Sequence, residues 1–169
     1  MSRQGHNGVR VTSPAPREAW EAAVATDPNV LVSHTPAWID LVCSFGGYAD
    51  ASRLYELRSG RRLVLPMVRR RHLPRPLAPE DSLPPCWDAG GIVAPGGITA
   101  RDLQAVFEDL TARPVVRTAL RPGPLDAREW DAARPQEPDA GEPDRDPAQV
   151  GRRPHCGFPS RRRCRRAKR

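Results

Sequence analysis

The amino-acid sequence predicts an α/β fold, of the α+β type with a mixed sheet, followed by a tail that does not fold. Helical and strand-like apolar patterns succeed each other from residue 14 to residue 133. Residues 134–169 contain no Leu, Ile, Trp, Tyr or Met, so they cannot build a core. The charge divides at the same place, because residues 1–133 carry 16 Arg and 15 acidic residues whereas the tail carries 11 basic and 5 acidic residues. We therefore expect a disordered lead over residues 1–13, one domain over 14–133 and a disordered Arg/Pro-rich tail over 134–169.

Two helices are predicted before the first strand. The first covers Pro14–Ala25 and has Trp20 on its apolar face. The second has Thr35 as its N-cap with Pro36 at the first helical position, and Gly46-Gly47 ends it. We expect its buried stripe to consist of Trp38, Leu41, Val42 and Phe45.

A β-hairpin is predicted next. Residues 53–58 and 61–69 are β-prone runs joined by Ser59-Gly60, and Pro66 is expected at a sheet edge or a bulge. The remaining elements are a proline-rich loop over 72–85, a strand-like piece over 90–94, a turn over 95–97, a helix from the N-cap Thr99 to Ala112, a strand over 114–120 and a short helix over 125–133.

The composition excludes several classes of protein. No stretch of 18 or more apolar residues is present, and the N-terminus lacks the apolar segment of a signal peptide, so we expect no membrane span and a cytoplasmic location. The four cysteines do not form a CxxC pair, which favours reduced thiols. Arginine outnumbers lysine 26 to 1, which is typical of a GC-rich genome and weakens any functional argument from arginine alone.

The tail has two interpretations. It is either a disordered basic arm or the out-of-frame product of a GC-rich gene beyond about residue 134, which would leave the preceding fold truncated. The nucleotide sequence around codons 130–140 distinguishes these two interpretations.

Residues from about Ala19 to Ala133 resemble the N-terminal part of the FemAB-like branch of the GNAT acyltransferase superfamily. The segments that carry the resemblance are His34–Leu41, the tyrosine-bearing strand pair that ends in Arg61–Arg69, and Asp88–Ala94. The resemblance implies a GNAT fold and a bacterial enzyme that transfers an acyl or aminoacyl group to an amine, either of a small molecule or of a peptidoglycan precursor. Acetyl-coenzyme A, or another acyl donor, is the cofactor that it implies.

Two departures from the family bear on activity. The chain has no Arg/Gln-x-x-Gly-x-Gly/Ala segment that opens a helix, the usual cradle for the coenzyme A pyrophosphate. The tail stands where the second half of the fold would follow. We therefore expect a truncated and inactive acyltransferase with no firmly bound cofactor.

Five residues are candidates for a site. Gly96, Gly97 and Thr99 would bind the phosphates of a donor, although the glycines also fit ordinary turn positions. His34 and Trp87 would contact substrate, His34 as a base near the acceptor amine or, alternatively, as a helix-entry residue that packs on the preceding loop.

No catalytic residue or metal site is predicted. Asp40, Glu56 and Asp88 are potential general bases, but a carboxylate on an amphipathic surface is usually only solvated. His155, Cys156 and Cys164 do not have the spacing or the number of donors that a metal site needs.

A second function remains open. The arginine cluster at residues 161–166 would bind the phosphates of nucleic acid, which makes the chain a small non-enzymatic basic module for RNA or an acidic partner. No aromatic residues alternate with these arginines, so such binding would be non-specific.

Overall fold

A computed structural model of the chain describes residues 8–84, 90–123 and 125–133, together with the backbone of residues 2–4. The strands are β1 (Ser2–Gln4), β2 (Arg10–Thr12), β3 (Tyr48–Asp50), β4 (Arg53–Glu56), β5 (Arg62–Leu65), β6 (Val68–Arg70), β7 (Glu80–Asp81) and β8 (Thr118–Ala119). The helices are α1 (Arg17–Thr26), α2 (Pro36–Phe45), α3 (Ala100–Thr111) and α4 (Ala127–Ala133). The predicted tail over 134–169 lies outside the described residues.

The strands form two four-stranded sheets. The first sheet has the order β1-β2-β4-β5 and is antiparallel, whereas the second has the order β3-β6-β7-β8 and ends in a parallel pair, β7 with β8. A bridge between Val64 and Val93 places residues 90–94 beside β5. These mixed helices and sheets confirm the α+β class.

The predicted hairpin is present and continues from the first sheet into the second, and we call the interruption of its strands at residues 51–52 and 66–67 the bend. β4 pairs with β5 and β3 pairs with β6, and the numbers of paired residues fit one continuous register, from Asp50 opposite Val68 to Arg53 opposite Leu65. No residue is inserted between them, so Pro66 does not lie at a bulge. It lies between β5 and β6, and the pairing of the two arms continues past it, because the Ala51 amide donates to the Met67 carbonyl at 2.9 Å.

The lead over residues 1–13, which the sequence predicts to be disordered, contributes two strands instead. β2 pairs antiparallel with β4, with Val11 opposite Tyr55. Val9 and Val11 are buried, with 8% and 2% of their surface exposed. This alternation of Val9 and Val11 is a short period-two signal that the surrounding polar residues obscure.

The second helix begins as predicted and faces a different way. The Thr35 hydroxyl accepts a hydrogen bond from the Trp38 amide at 3.3 Å, which is an N-cap. Val42 of the predicted stripe is buried, but Leu41 and Phe45 are 43% and 75% exposed, so for these two residues the prediction is wrong. Ile39, which the prediction left out, is buried. Because nearly every side of this helix carries an apolar residue, periodicity alone could not select its buried face.

Several later elements differ from the prediction, because one strand was missed and two others are shorter than expected. The loop over 72–85 contains β7, the strand over 114–120 is reduced to β8, and residues 90–94 form a single bridge. The third helix is confirmed, with Leu103, Val106 and Leu110 buried. The last helix begins at Ala127 and buries Trp130 against Phe107, with ring centroids 5.7 Å apart.

The first sheet is packed on both faces. On one side Leu54 and Val64 belong to a cluster with Trp20 of α1 and with Ile39 of α2. On the other side the neighbours of these strand residues pack against α3, in a cluster that includes Tyr55, Leu63, Leu65, Leu103 and Val106. The structure is therefore layered helix, sheet, helix, which explains why β5 has little polar alternation.

A buried arginine joins the two sheets. Arg53, at the start of β4, is only 1% exposed. Its Nη2 donates to Glu80 Oε2 on β7 of the other sheet, and its Nη1 lies 3.3 Å from the sulfur of Met67. Two residues further, the Tyr55 hydroxyl donates to Asp109 Oδ2 of α3 at 3.0 Å. The bend of the hairpin is thus fixed to the second sheet and to α3.

We predict that Arg53→Met lowers the free energy of unfolding by about 3 kcal/mol, since removing one partner of a buried ion pair leaves the other charge uncompensated. The control is Arg62→Met, which removes an exposed partner of Glu56 on the same hairpin and should cost less than about 1 kcal/mol. Urea denaturation measures both values. Equal losses would contradict a structural role for the Arg53–Glu80 pair.

Candidate functional site

The structure places the predicted site residues at two positions. Gly96, Gly97 and Thr99 lie at the start of α3, whereas His34 lies against Gly90 and Gly91. Trp87 and Asp88 lie outside the described residues. The residues predicted to bind the acyl donor therefore do not contact His34, the residue predicted to act on the acceptor amine.

The Gly96-Gly97 pair has the geometry of a turn. Both residues have positive φ, 83° and 82°, which favours glycine. The Gly97 amide donates to the Ala94 carbonyl at 2.8 Å, and the Gly97 carbonyl accepts from Arg61 Nη2. The Gly97 amide is thus used within the chain, where a phosphate cradle would need it to face a ligand.

Side chains already bond the backbone amides at the start of α3. Thr99 Oγ1 accepts from the Asp102 amide at 3.2 Å, and Asp102 Oδ2 accepts from the Thr99 amide at 3.1 Å, which forms a capping box. Arg61 Nη1 also donates to Asp102 Oδ2, at 2.6 Å. In the first helical turn, the amides of Ala100 and Arg101 have no partner within the helix.

A cleft opens beside this helix start. Its volume is about 860 Å³, and we call it the α3 cleft. The residues that line it are Val9, Leu57, Arg58, Ser59, Arg61, Thr99, Arg101, Asp102, Gln104, Ala105 and Glu108. Of the three residues predicted to bind the acyl donor, only Thr99 lines the cleft. The cleft therefore lies beside the Gly96-Gly97 turn and is not formed by it.

His34 is a buried residue with both ring nitrogens engaged. It is 4% exposed. The Leu31 amide donates to Nδ1 at 3.3 Å, so Nε2 carries the hydrogen and donates to the Gly90 carbonyl at 3.0 Å. Its own carbonyl accepts from Trp20 Nε1 at 2.9 Å. To act as a base, His34 would have to give up the Leu31 bond, so this geometry favours its helix-entry role.

Close backbone contacts explain the Gly90-Gly91 pair. A Cβ atom on Gly91 would lie 2.8 Å from His34 Nε2, and one on Gly90 would lie 2.5 Å from the Arg121 carbonyl. Gly123 lies on the other side of this contact, and a Cβ there would approach the Gly90 carbonyl to 3.4 Å. Glycine is needed here because backbone segments and His34 approach each other closely.

Sequence reasoning missed Arg58, Ser59, Arg101 and Gln104 as residues of a shared cleft. Arg58 and Ser59 lie at the hairpin turn, more than forty residues before α3, and nothing in the local pattern joins them. The general excess of arginine also concealed them. The one available signal is that Arg101 stands in the first turn of a predicted helix, where acidic residues are favoured.

Three comparisons with known proteins were negative: no family model, no curated protein and no solved structure matches the chain. Within the described part of the chain, no helix is long and apolar enough to cross a membrane. The same residues contain no group of three or more His, Cys, Asp or Glu side chains that could hold a metal ion.

Asp126, just before α4, is the basis of a pH prediction. Burial raises the pKa of this carboxyl above its ordinary value of 3.8, and Glu129 and Asp27 raise it further, against an opposing effect of His34. The folded state therefore holds the proton more tightly than the unfolded chain. Its contribution to stability is present at low pH and is lost as pH rises from 3.8 through the raised value.

We predict that Asp126→Asn gains stability relative to the wild type as pH rises from about 3.5 to 7, because Asn is close to Asp in shape but carries no charge. Urea midpoints at several pH values measure this difference. The control Glu18→Gln removes one carboxylate from an exposed position of α1. A constant difference across this pH range would show that the charge of Asp126 is not disfavoured in the folded state.

Proposed function

We propose that residues 8–133 form the N-terminal part of a FemAB-like GNAT acyltransferase, and that these residues do not hold an acyl donor firmly by themselves. The order of elements supports the proposal. Two helices precede a hairpin, and a strand-like segment then leads into a capped helix. The two helices and the capped helix cover opposite faces of the hairpin's sheet.

The start of α3 supports the second part of the proposal, that these residues do not hold an acyl donor firmly, because its backbone amides are already bonded. Donor pyrophosphate is held in this superfamily by backbone amides that open a helix. Here the amides of Gly97, Thr99 and Asp102 all donate within the chain. The Asp102 carboxylate, which accepts from the Thr99 amide, also repels an anion. A phosphate of the acyl donor would therefore have to displace these hydrogen bonds and overcome this repulsion.

Acyl transfer to an amine would also need a group that accepts the amine proton. His34 is the candidate closest to this chemistry, and its Nδ1 already accepts from the Leu31 amide. We therefore assign no catalytic residue within the described residues. The acceptor class, a small-molecule or peptidoglycan-precursor amine, comes from the resemblance alone.

We predict that acetyl-coenzyme A binds this chain no more tightly than inorganic pyrophosphate does, because the amides of Gly97, Thr99 and Asp102 already donate within the chain. Isothermal titration at constant ionic strength measures both affinities. Saturable micromolar binding of acetyl-coenzyme A, at least tenfold tighter than that of pyrophosphate, would contradict the proposal.

The basic module for RNA remains a second candidate, since residues 134–169 carry 11 basic residues against 5 acidic ones. We predict that any RNA binding by the full chain is lost when residues 135–169 are deleted, and that it weakens steeply with salt whatever the RNA sequence. Filter binding with two unrelated single-stranded RNAs measures this. Sequence preference, or retention without the tail, would contradict a non-specific basic arm.

A further inference from the structure

Residues 70–77, which we call the basic loop, form a run of eight residues that are all exposed. The run begins with the last residue of β6 and contains three arginines, one histidine, two leucines, two prolines and no acidic residue. It therefore presents positive charge and aliphatic surface side by side, next to the second sheet.

Backbone hydrogen bonds hold the basic loop in place. At one end the Arg71 amide donates to the Gly47 carbonyl at 2.9 Å. Near the other end the Leu77 amide donates to the Pro74 carbonyl at 2.9 Å. The next residue, Ala78, is completely buried. The exposed side chains are thus presented by a backbone that is anchored on both sides.

The exposed apolar side chains form a group. Leu73 and Leu77 are 43% and 60% exposed. The Val116 amide donates to the Pro76 carbonyl at 3.0 Å, which places Val116, itself 66% exposed, beside the loop. Single exposed apolar residues are ordinary, whereas a group of them indicates an interaction surface. Because arginine is common throughout the chain, these aliphatic side chains are the stronger signal.

The arginines of the loop form no ion pair with any residue that the structure describes. Arg70 lies over the ring of Tyr48, 4.4 Å from its centroid. The carboxylates on the adjacent strands β3 and β7 are already paired with other arginines: Asp50 with Arg17, Glu80 with Arg53 and Asp81 with Arg117. The positive charge of the loop is therefore available to an anionic partner.

The composition of the loop favours a lipid surface over nucleic acid. Residues 70–77 contain no Phe, Tyr or Trp to stack on bases and no Asn, Gln, Ser or Thr to bond base edges. The Tyr48 ring beneath Arg70 is only 6% exposed. Cationic side chains beside exposed aliphatic ones are typical of a surface that lies on an anionic bilayer.

We propose that the basic loop, together with Val116, docks the protein on an anionic lipid membrane. Its arginines bind the headgroup phosphates, and its leucines enter the boundary between the headgroups and the acyl chains. The protein lies on the bilayer without crossing it. This role needs no acyl donor and is independent of the proposed acyltransferase function.

The first test is co-sedimentation of the full chain with vesicles of phosphatidylcholine, alone or mixed with phosphatidylglycerol. Residues 134–169 add basic charge of their own, so the test compares variants of equal net charge. Leu73→Ser/Leu77→Ser should weaken binding to the mixed vesicles about tenfold, because less apolar surface enters the bilayer. The matched control Val32→Ser/Leu125→Ser changes side chains that are 70% and 62% exposed elsewhere, and should leave binding unchanged.

Two triple variants of equal charge test the arginines. One neutralises the loop: Arg70→Gln/Arg71→Gln/Arg75→Gln. The control neutralises exposed arginines elsewhere: Arg58→Gln/Arg101→Gln/Arg128→Gln. The loop variant should bind the mixed vesicles about a hundredfold more weakly, and the control less than about fivefold more weakly, since each arginine close to an anionic bilayer adds about fivefold to binding. Thermal midpoints verify that each variant is folded, and the leucine pair decides the test if the loop arginine variant unfolds.

Several results would overturn the proposal. These are equal binding to the neutral and the mixed vesicles, and equal losses in the leucine variant and its control. Loss of RNA binding in the loop arginine variant, with vesicle binding intact, would show a nucleic-acid surface instead. A wild-type dimer that the leucine variant dissociates, without any vesicle binding, would show a surface for a second copy of the chain.

Discussion

The fold depends on how the central hairpin is bent and held. Its two arms keep one register across the break at Pro66, yet they enter two different sheets. Arg53 lies at this bend, buried, and reaches Glu80 of the second sheet. A buried guanidinium is costly unless it is paired, so its pairing selects the arrangement in which the two sheets meet here. We infer that the bend and the ion pair require each other.

Local signals in the sequence predicted most helices and the hairpin, because the hydroxyls of Thr35 and Thr99 cap the helices that follow them and Gly60 has the positive φ of a tight turn. Tertiary contacts determine the features that the sequence did not predict. Pro66 signalled an interruption, but only the second sheet explains the bend. The buried face of α2 is set by what covers Ile39, and β2 forms because β4 offers it an edge. Neither fact is visible in a local window.

At the candidate site, too, local signals identified some residues and long-range contacts brought in others. Gly96, Gly97 and Thr99 were identified at the start of α3, whereas the cleft beside it is completed by Arg58 and Ser59 from the distant hairpin turn. His34 was identified as well, and the structure uses it to hold Gly90.

The central claim is that the bend joins the two sheets into one cooperative unit. Native-state hydrogen exchange tests it most directly, through the amides of Leu63 and Val64 in the first sheet and those of Val68 and Ser82, which lie in and beside the second. The account predicts one common opening free energy for all four amides, equal to that of global unfolding. Distinctly lower values at Val68 and Ser82 would show that the second sheet opens alone and would contradict the account.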